Sequence, residues 1–122
     1  MAVVSPEQRT EWSRLTDRLT LEYRGYDVTV EVLDPETGDN PIVDRLPFDN
    51  LTYDHKDDVA VVAAAEDPKR EDVAVRHIIR HPREFVVDLI PEGAAVKITS
   101  DDGTATLVSL LRHQEDDGGQ GS

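Results

Sequence analysis

Asp27-Val28-Thr29-Val30-Glu31-Val32 is the stretch that decides the fold. Three valines alternate with three polar residues. A period of two sets the valines on one face of an extended strand and Asp27, Thr29 and Glu31 on the other, whereas a helix would scatter them around its axis. The same rhythm is read from Leu21, through Tyr23 and Tyr26, as far as Leu111. Asp34-Pro35-Glu36-Thr37-Gly38-Asp39-Asn40-Pro41 is a dense turn cluster that ends the first strand. A second extended run spans Ile42 to Tyr53, and Pro47 inside it marks an edge position or a bend, because proline cannot donate to a ladder. Asp54-His55-Lys56-Asp57-Asp58 is a polar turn, and Val59 to Ala63 is short and apolar enough for a buried strand. Residues 66–72 form a charged loop. The periodicity of Val73 to Ile79 fits a strand or a short helical turn equally well. Phe85 to Ile90 is a further strand, closed by Pro91-Glu92-Gly93.

Near the C-terminus, Val96-Lys97-Ile98-Thr99 and Thr106-Leu107-Val108-Ser109 flank Asp102-Gly103. Asp-Gly between alternating runs signals a hairpin with a two-residue turn, both turn residues at positive φ. That register sets Ile98 opposite Leu107. Upstream of the strands, Ser5-Pro6-Glu7-Gln8 starts a helix: Ser5 caps, Pro6 suits the first helical position and Gln8 completes a capping box. Trp12, Leu15 and Leu19 recur at spacings that share one helical face, which predicts a helix over 6–18 with Trp12 as its anchor in the core. The expected architecture is mainly β within the α+β class. The N-terminal helix covers the open end of a strongly bent antiparallel sheet, or of a small SH3/Sm-like barrel, with a C-terminal hairpin. One domain is expected over 5–112, and a disordered acidic, Gly-rich tail over 113–122.

A chain of 122 residues suits one domain and buries roughly two-thirds of its unfolded surface, so it holds a core without staples. Cysteine is absent, which excludes disulfides, thiolate metal sites and cysteine nucleophiles. No apolar run approaches the ~20 residues needed to cross a bilayer. Met1-Ala2-Val3-Val4-Ser5-Pro6-Glu7 has neither the basic nor the apolar region of a signal peptide, so the expected location is cytoplasmic. Asp and Glu number 26 against 13 Lys and Arg, a formal charge of −13 whose far field repels phosphate backbones and anionic lipid. Nucleic acid and membrane are therefore disfavoured as partners, and an unknown protein or a second copy of the chain is the partner class that remains.

The sequence has no Gly-x-Gly-x-x-Gly, no Walker-type loop, no His-Glu-x-x-His and no Gly-x-Ser-x-Gly. No cofactor and no metal is called for. Its six aromatics do not interleave with basic residues, so no stacking platform for single strands is indicated. Asp54, Asp57 and Asp58 lack the central glycine and the distant glutamate of a calcium loop, and an acidic β-turn accounts for them.

One segment stands against the acidic background. Arg76-His77-Ile78-Ile79-Arg80-His81-Pro82-Arg83 carries three arginines and two histidines with no acid between them. Arginine forks suit carboxylate and phosphate, and a compact cationic island attracts anions locally whatever the far field does. The competing reading is that these arginines pair with neighbouring Asp and Glu. His77 and His81 would share a helical face, but on a strand they stand about 13 Å apart, too far for one ion.

Trp12, Val28-Thr29-Val30-Glu31-Val32, Leu51-Thr52-Tyr53-Asp54-His55-Lys56-Asp57-Asp58-Val59, His77-Ile78-Ile79-Arg80-His81-Pro82-Arg83 and Asp101-Asp102-Gly103-Thr104 together carry a resemblance. They resemble a family of short bacterial and archaeal proteins known only as a domain of unknown function. That resemblance implies no activity. A second resemblance is to the Sm-like fold, which includes the RNA chaperone Hfq: a helix, then a bent five-stranded barrel. It aligns Val28–Leu33, Leu46–Tyr53, Val59–Ala63, Val75–Ile79 and Phe85–Leu89 with the five strands. It would place His77 and Arg80 near a ring pore and imply RNA binding. The chain departs from it in the missing glycine of the second strand, the longer 66–72 connection and the extra hairpin.

Three functions follow from these readings. The favoured one is a non-catalytic binding or assembly domain that meets an acidic or phosphate-bearing partner through Arg76, His77, Arg80, His81 and Arg83. The alternatives are an Sm-like RNA-binding ring, and a small enzyme using His77 or His81 as base with an Asp of the 54–58 turn, which needs a concave pocket uniting them.

Overall fold

The structure, a computed structural model, describes residues 5–65 and 73–113. The expected charged loop at 66–72 and all of the expected tail except His113 lie outside the described residues. Helix α1 spans Pro6–Tyr23. Its start is the one the sequence calls for. Ser5 Oγ accepts from the Gln8 N–H at 3.2 Å, and the Ser5 N–H donates to Gln8 Oε1 at 3.0 Å, which satisfies two amides that would otherwise lack partners. It runs five residues past the expected end, so Leu21 to Tyr23 are helical and not extended. The extension follows from docking: Leu19 is buried, Thr20 hydrogen-bonds to the sheet and Tyr23 packs edge-on against Tyr26. Tertiary contact sustains helix where local propensity is marginal. Gly25, at φ +97°, turns the chain into the first strand.

Seven strands follow: β1 Asp27–Asp34, β2 Gly38–Asp54, β3 Val59–Ala65, β4 Val73–Arg80, β5 Pro82–Ile90, β6 Gly93–Ser100 and β7 Ala105–Leu111. They form one antiparallel sheet in the order β4-β3-β2-β1-β7-β6-β5. Residues 73–80 are therefore strand, which decides between the two forms left open by the sequence. The barrel alternative is not what forms. The ladder is continuous from β4 round to β5, but these two outer strands do not pair with each other, so the sheet stays open. The Sm-like arrangement falls with it. Among the described residues there are seven strands instead of five, and the segment compared with the pore, Val75 to Ile79, lies on an outer strand.

The bend lies where Pro47 suggested. β2 pairs with β1 up to Pro47 and with β3 from Phe48 onward, passing through bulges and through Arg45 at φ +53°. A strand that changes neighbours in mid-course turns a corner, because bulges bend the chain and strengthen its twist. Beyond that corner β1 no longer follows β2, and α1 takes its place. Thr20 Oγ1 accepts from the Leu51 N–H at 3.0 Å and stands 2.8 Å from the Leu51 carbonyl, while Ser13 Oγ donates to the Tyr53 carbonyl at 3.5 Å. Side-chain hydroxyls of the helix thus satisfy backbone groups that a strand would otherwise have paired.

The core lies inside this bend. Val28, Val30, Leu51, Val96, Ile98, Val108 and Leu110 are fully enclosed. Each contributes roughly 1.5–3 kcal/mol relative to exposure. Trp12 is 7 % exposed, edge-on to Tyr53 with centroids 5.3 Å apart and 4.9 Å from Phe85 on β5, so the indole ties both limbs of the sheet to the helix.

The C-terminal hairpin forms with a register one residue from the expected one. Ile98 faces Thr106, and Leu107 faces Lys97. Only Gly103 has positive φ, at +90°. The Ser100 N–H donates to the Thr104 carbonyl at 2.8 Å, and the Gly103 N–H to the Ser100 carbonyl at 3.1 Å. Three residues close the loop, the last of them left-handed, in place of two. The shift keeps Thr106, Val108 and Leu110 on the buried face. His113, expected to begin the tail, instead holds Asp27, its Nδ1 3.1 Å from Asp27 Oδ1.

Candidate functional site

The basic island straddles the corner where β4 becomes β5. β4 is rich in β-branched residues and alternates as a half-buried strand should: Ile79 is 3 % exposed, while Arg76, Ile78 and Arg80 face solvent. Ladder partners on β3 are Ala63 for Arg76, Val61 for Ile78 and Val59 for Arg80. The outer face of β4 is thus an arginine, an isoleucine 49 % exposed and a second arginine. Among the described residues no ion pair engages Arg76 or Arg80. Arg83 is partly buried on β5.

His77 lies on the opposite side of β4, half-buried, and burial pulls its pKa below the usual histidine value. It borders a cleft of about 240 Å³ that opens beside β4, whose far wall is formed by Val32, Ser100, Asp102, Thr104 and Thr106. The structure therefore divides the island. Arg76 and Arg80 share one face, His77 takes the other, and His81 sits at the corner. No group of three or more His, Asp or Glu among the described residues is placed to hold a metal ion.

His81 is the single residue between β4 and β5, at φ +52°. Its N–H donates to the Asp58 carbonyl at 2.8 Å, and its carbonyl accepts from the Asp101 N–H at 3.0 Å. Its Nδ1 lies 3.2 Å from Asp58 Oδ2. Asp58, also left-handed at φ +55°, accepts a 2.7 Å hydrogen bond from the Tyr53 hydroxyl and has the Arg9 guanidinium 4.0 Å away. Burial raises the Asp58 pKa, but the hydrogen bonds from Tyr53 and His81 and the charge of Arg9 outweigh it and hold the carboxyl below its ordinary value. Burial, then the hydrogen bond and the charge of Asp58, push the Tyr53 hydroxyl well above the usual tyrosine range.

The sequence model of a family described as "Family of unknown function (DUF5335)" matches residues 6–118. The chain belongs to this family. It is also 32 % identical over 80 residues to an uncharacterized protein of Aquifex aeolicus (strain VF5), a match that spans 66 % of each chain. No solved structure matches.

For this DUF5335 chain, the Asp58–His81 contact satisfies one condition of the acid–base reading, and His77 does not take part in it. The concave pocket is not met. A cavity of about 350 Å³ nearby is lined by Pro6, Arg9, Thr10 and His55, with neither Asp58 nor His81 among its walls. Asp58 is instead a junction that fastens α1, the end of β2 and the β4–β5 corner. Sequence reading missed Arg9 and Tyr53 as its partners. Tyr53 had a signal, since a tight turn at 54–58 brings the ends of β2 and β3 together. Arg9 had none. No helix among the described residues is long and apolar enough to cross a membrane.

Proposed function

We propose that this chain is a non-catalytic binding domain whose outer strand β4 presents Arg76 and Arg80 to an acidic or phosphate-bearing partner. One observation carries the reading. On a chain of formal charge −13, two arginines stand exposed either side of a half-exposed isoleucine, with no acid of the described residues in ion-pair contact. Guanidinium forks match carboxylate and phosphate oxygens bidentately, and an apolar residue between them adds area that a partner can cover.

The test is a titration of labelled poly-L-aspartate, and separately of inorganic polyphosphate, into the full chain. Binding by at least one polyanion, weakened about tenfold or more in the Arg76→Ser/Arg80→Ser variant and by added salt, is the expected result. Equal affinity of wild type and variant, or no binding of either probe, would sink the reading.

A further inference from the structure

We infer that the free edge of β4 takes up an extended peptide of acidic–aliphatic–acidic pattern as an additional strand. This inference rests on the binding reading above and names the ligand of the same surface. β3 holds one edge of β4, and no strand among the described residues holds the other. In an antiparallel ladder alternate residues direct their N–H and C=O groups away from the partner, so the second edge offers a row of backbone donors and acceptors. The 240 Å³ cleft opens at residues 77–80 of that strand, and its far wall carries the hydroxyls of Ser100, Thr104 and Thr106 with the carboxylate of Asp102 among them, so the acidic residues of a ligand belong on the Arg76–Arg80 face and its neutral residues toward the cleft. An extended chain fits beside a strand at about 4.8 Å. A helix about 10 Å across does not fit a cleft of this size.

The side chains set the ligand's pattern. Arg76, Ile78 and Arg80 share one face at every second position. A strand laid alongside presents residues j, j+2 and j+4 to them. Opposite charges meet when j and j+4 are Asp or Glu, and Ile78 is covered when j+2 is Val, Ile or Leu. A second copy of β4 is a poor occupant, because it sets arginine beside arginine. The other outer strand does not offer the same surface: Phe85 of β5 packs against Trp12, and the exposed residues Glu84, Val86, Asp88 and Leu89 are acidic or aliphatic, with no cation among them. The edge is therefore selective for an acidic strand, with the backbone supplying affinity and the alternate side chains specificity.

The probe is a blocked ten-residue peptide with Asp-Thr-Val-Thr-Asp at its centre, titrated into the full chain by calorimetry. Two further peptides carry backbone N-methyl groups, one on the Asp and Val amides and one on the two Thr amides. In an added strand only one of these sets points at β4. The expected result is that one methylated peptide binds like the parent and the other loses at least tenfold, with Arg76→Ser/Arg80→Ser weakening the parent at least tenfold. Equal behaviour of the two methylated peptides overturns the strand inference, as does a parent peptide that fails to bind. Poly-L-aspartate binding that persists in either case leaves the arginine surface standing, so the two failures are distinguishable. Both arginines are exposed, so an unchanged unfolding temperature of the variant shows that the loss is one of binding.

Discussion

His81 is bonded to Asp58 twice, through its own N–H to the Asp58 carbonyl at 2.8 Å and through Nδ1 to the Asp58 carboxylate at 3.2 Å, and both residues are left-handed. A non-glycine residue at positive φ costs about 1–2 kcal/mol. Two such residues clasping one another form a corner that the surrounding contacts over-determine: the Tyr53 hydroxyl and Arg9 reach Asp58 from one side, and Asp101 reaches His81 from the other. The clasp sets where β5 departs from β4, and so where the exposed arginines sit relative to the cleft.

Replacing His81 separates the backbone strain from the imidazole contact. His81→Ala keeps the strain and loses the contact, while His81→Gly loses both. The glycine variant is expected to be the more stable of the two by about 1 kcal/mol in urea denaturation. If alanine is equal or better, the corner residue is not strained.

Tyr53→Phe removes one donor from Asp58 and leaves the ring packing against Trp12 and Phe85. The expected cost at neutral pH is about 1–2 kcal/mol, the range for a bond to a charged acceptor at a partly solvated site. Asp58 is held below its ordinary value of 3.8, so its contribution is complete above that pH and is lost as the pH falls through the folded value. The gap between wild type and Tyr53→Phe should therefore narrow below pH 3.8. A constant gap down to pH 3 would mean that the hydroxyl serves packing and not the carboxylate.

The strands were legible because their valines obey a period of two, and the helix start because Ser5 and Gln8 are read locally. What escaped the sequence was long-range. Nothing near Leu21 indicates that Thr20 will bind Leu51, 31 residues away, and hold the helix past residue 18. Nothing in Asp102-Gly103 reveals a third loop residue, since Asp-Gly serves both loop lengths. The basic island was visible as a composition, but its division between two faces depends on alternation along β4, and strand and helix were not separable there. The Asp58 junction needed two left-handed residues, and although Asp and His enter that region more readily than most, nothing local marks Asp58 and His81 out from the chain's other acids and histidines.

Thr20→Val is nearly isosteric and tests whether the helix replaces a strand. It leaves the N–H and carbonyl of Leu51 without the hydroxyl, beside a side chain that is 0 % exposed. The expected loss is about 1–3 kcal/mol, with faster amide exchange at Leu51. An unchanged exchange rate would show that the Leu51 backbone finds another partner.

Gly93 opens β6 at φ +153°, and a Cβ there would run into the Leu110 carbonyl. β7 cannot withdraw without breaking its ladder to β1. Gly93→Ala should cost about 1–3 kcal/mol, the range for overpacking a well-filled position. A melting temperature within a degree of wild type would refute the close approach.

His77 gives a pH dependence of its own. Burial holds its folded pKa below the ordinary 6.5, so the unfolded chain takes up the proton first as the pH drops. The stability tied to neutral His77 is fully present above pH 6.5 and is lost below it, by at most about 1.4 kcal/mol per pH unit, and less because the ring is only half-buried. His77→Gln cannot titrate. Urea denaturation of wild type and His77→Gln at pH 7.5, 6.5 and 5.5 should therefore show curves that diverge as the pH falls, with wild type losing more. The other three histidines are common to both proteins and drop out of the difference. A difference that stays flat from pH 7.5 to 5.5 would place the imidazole in solvent, outside the cleft wall.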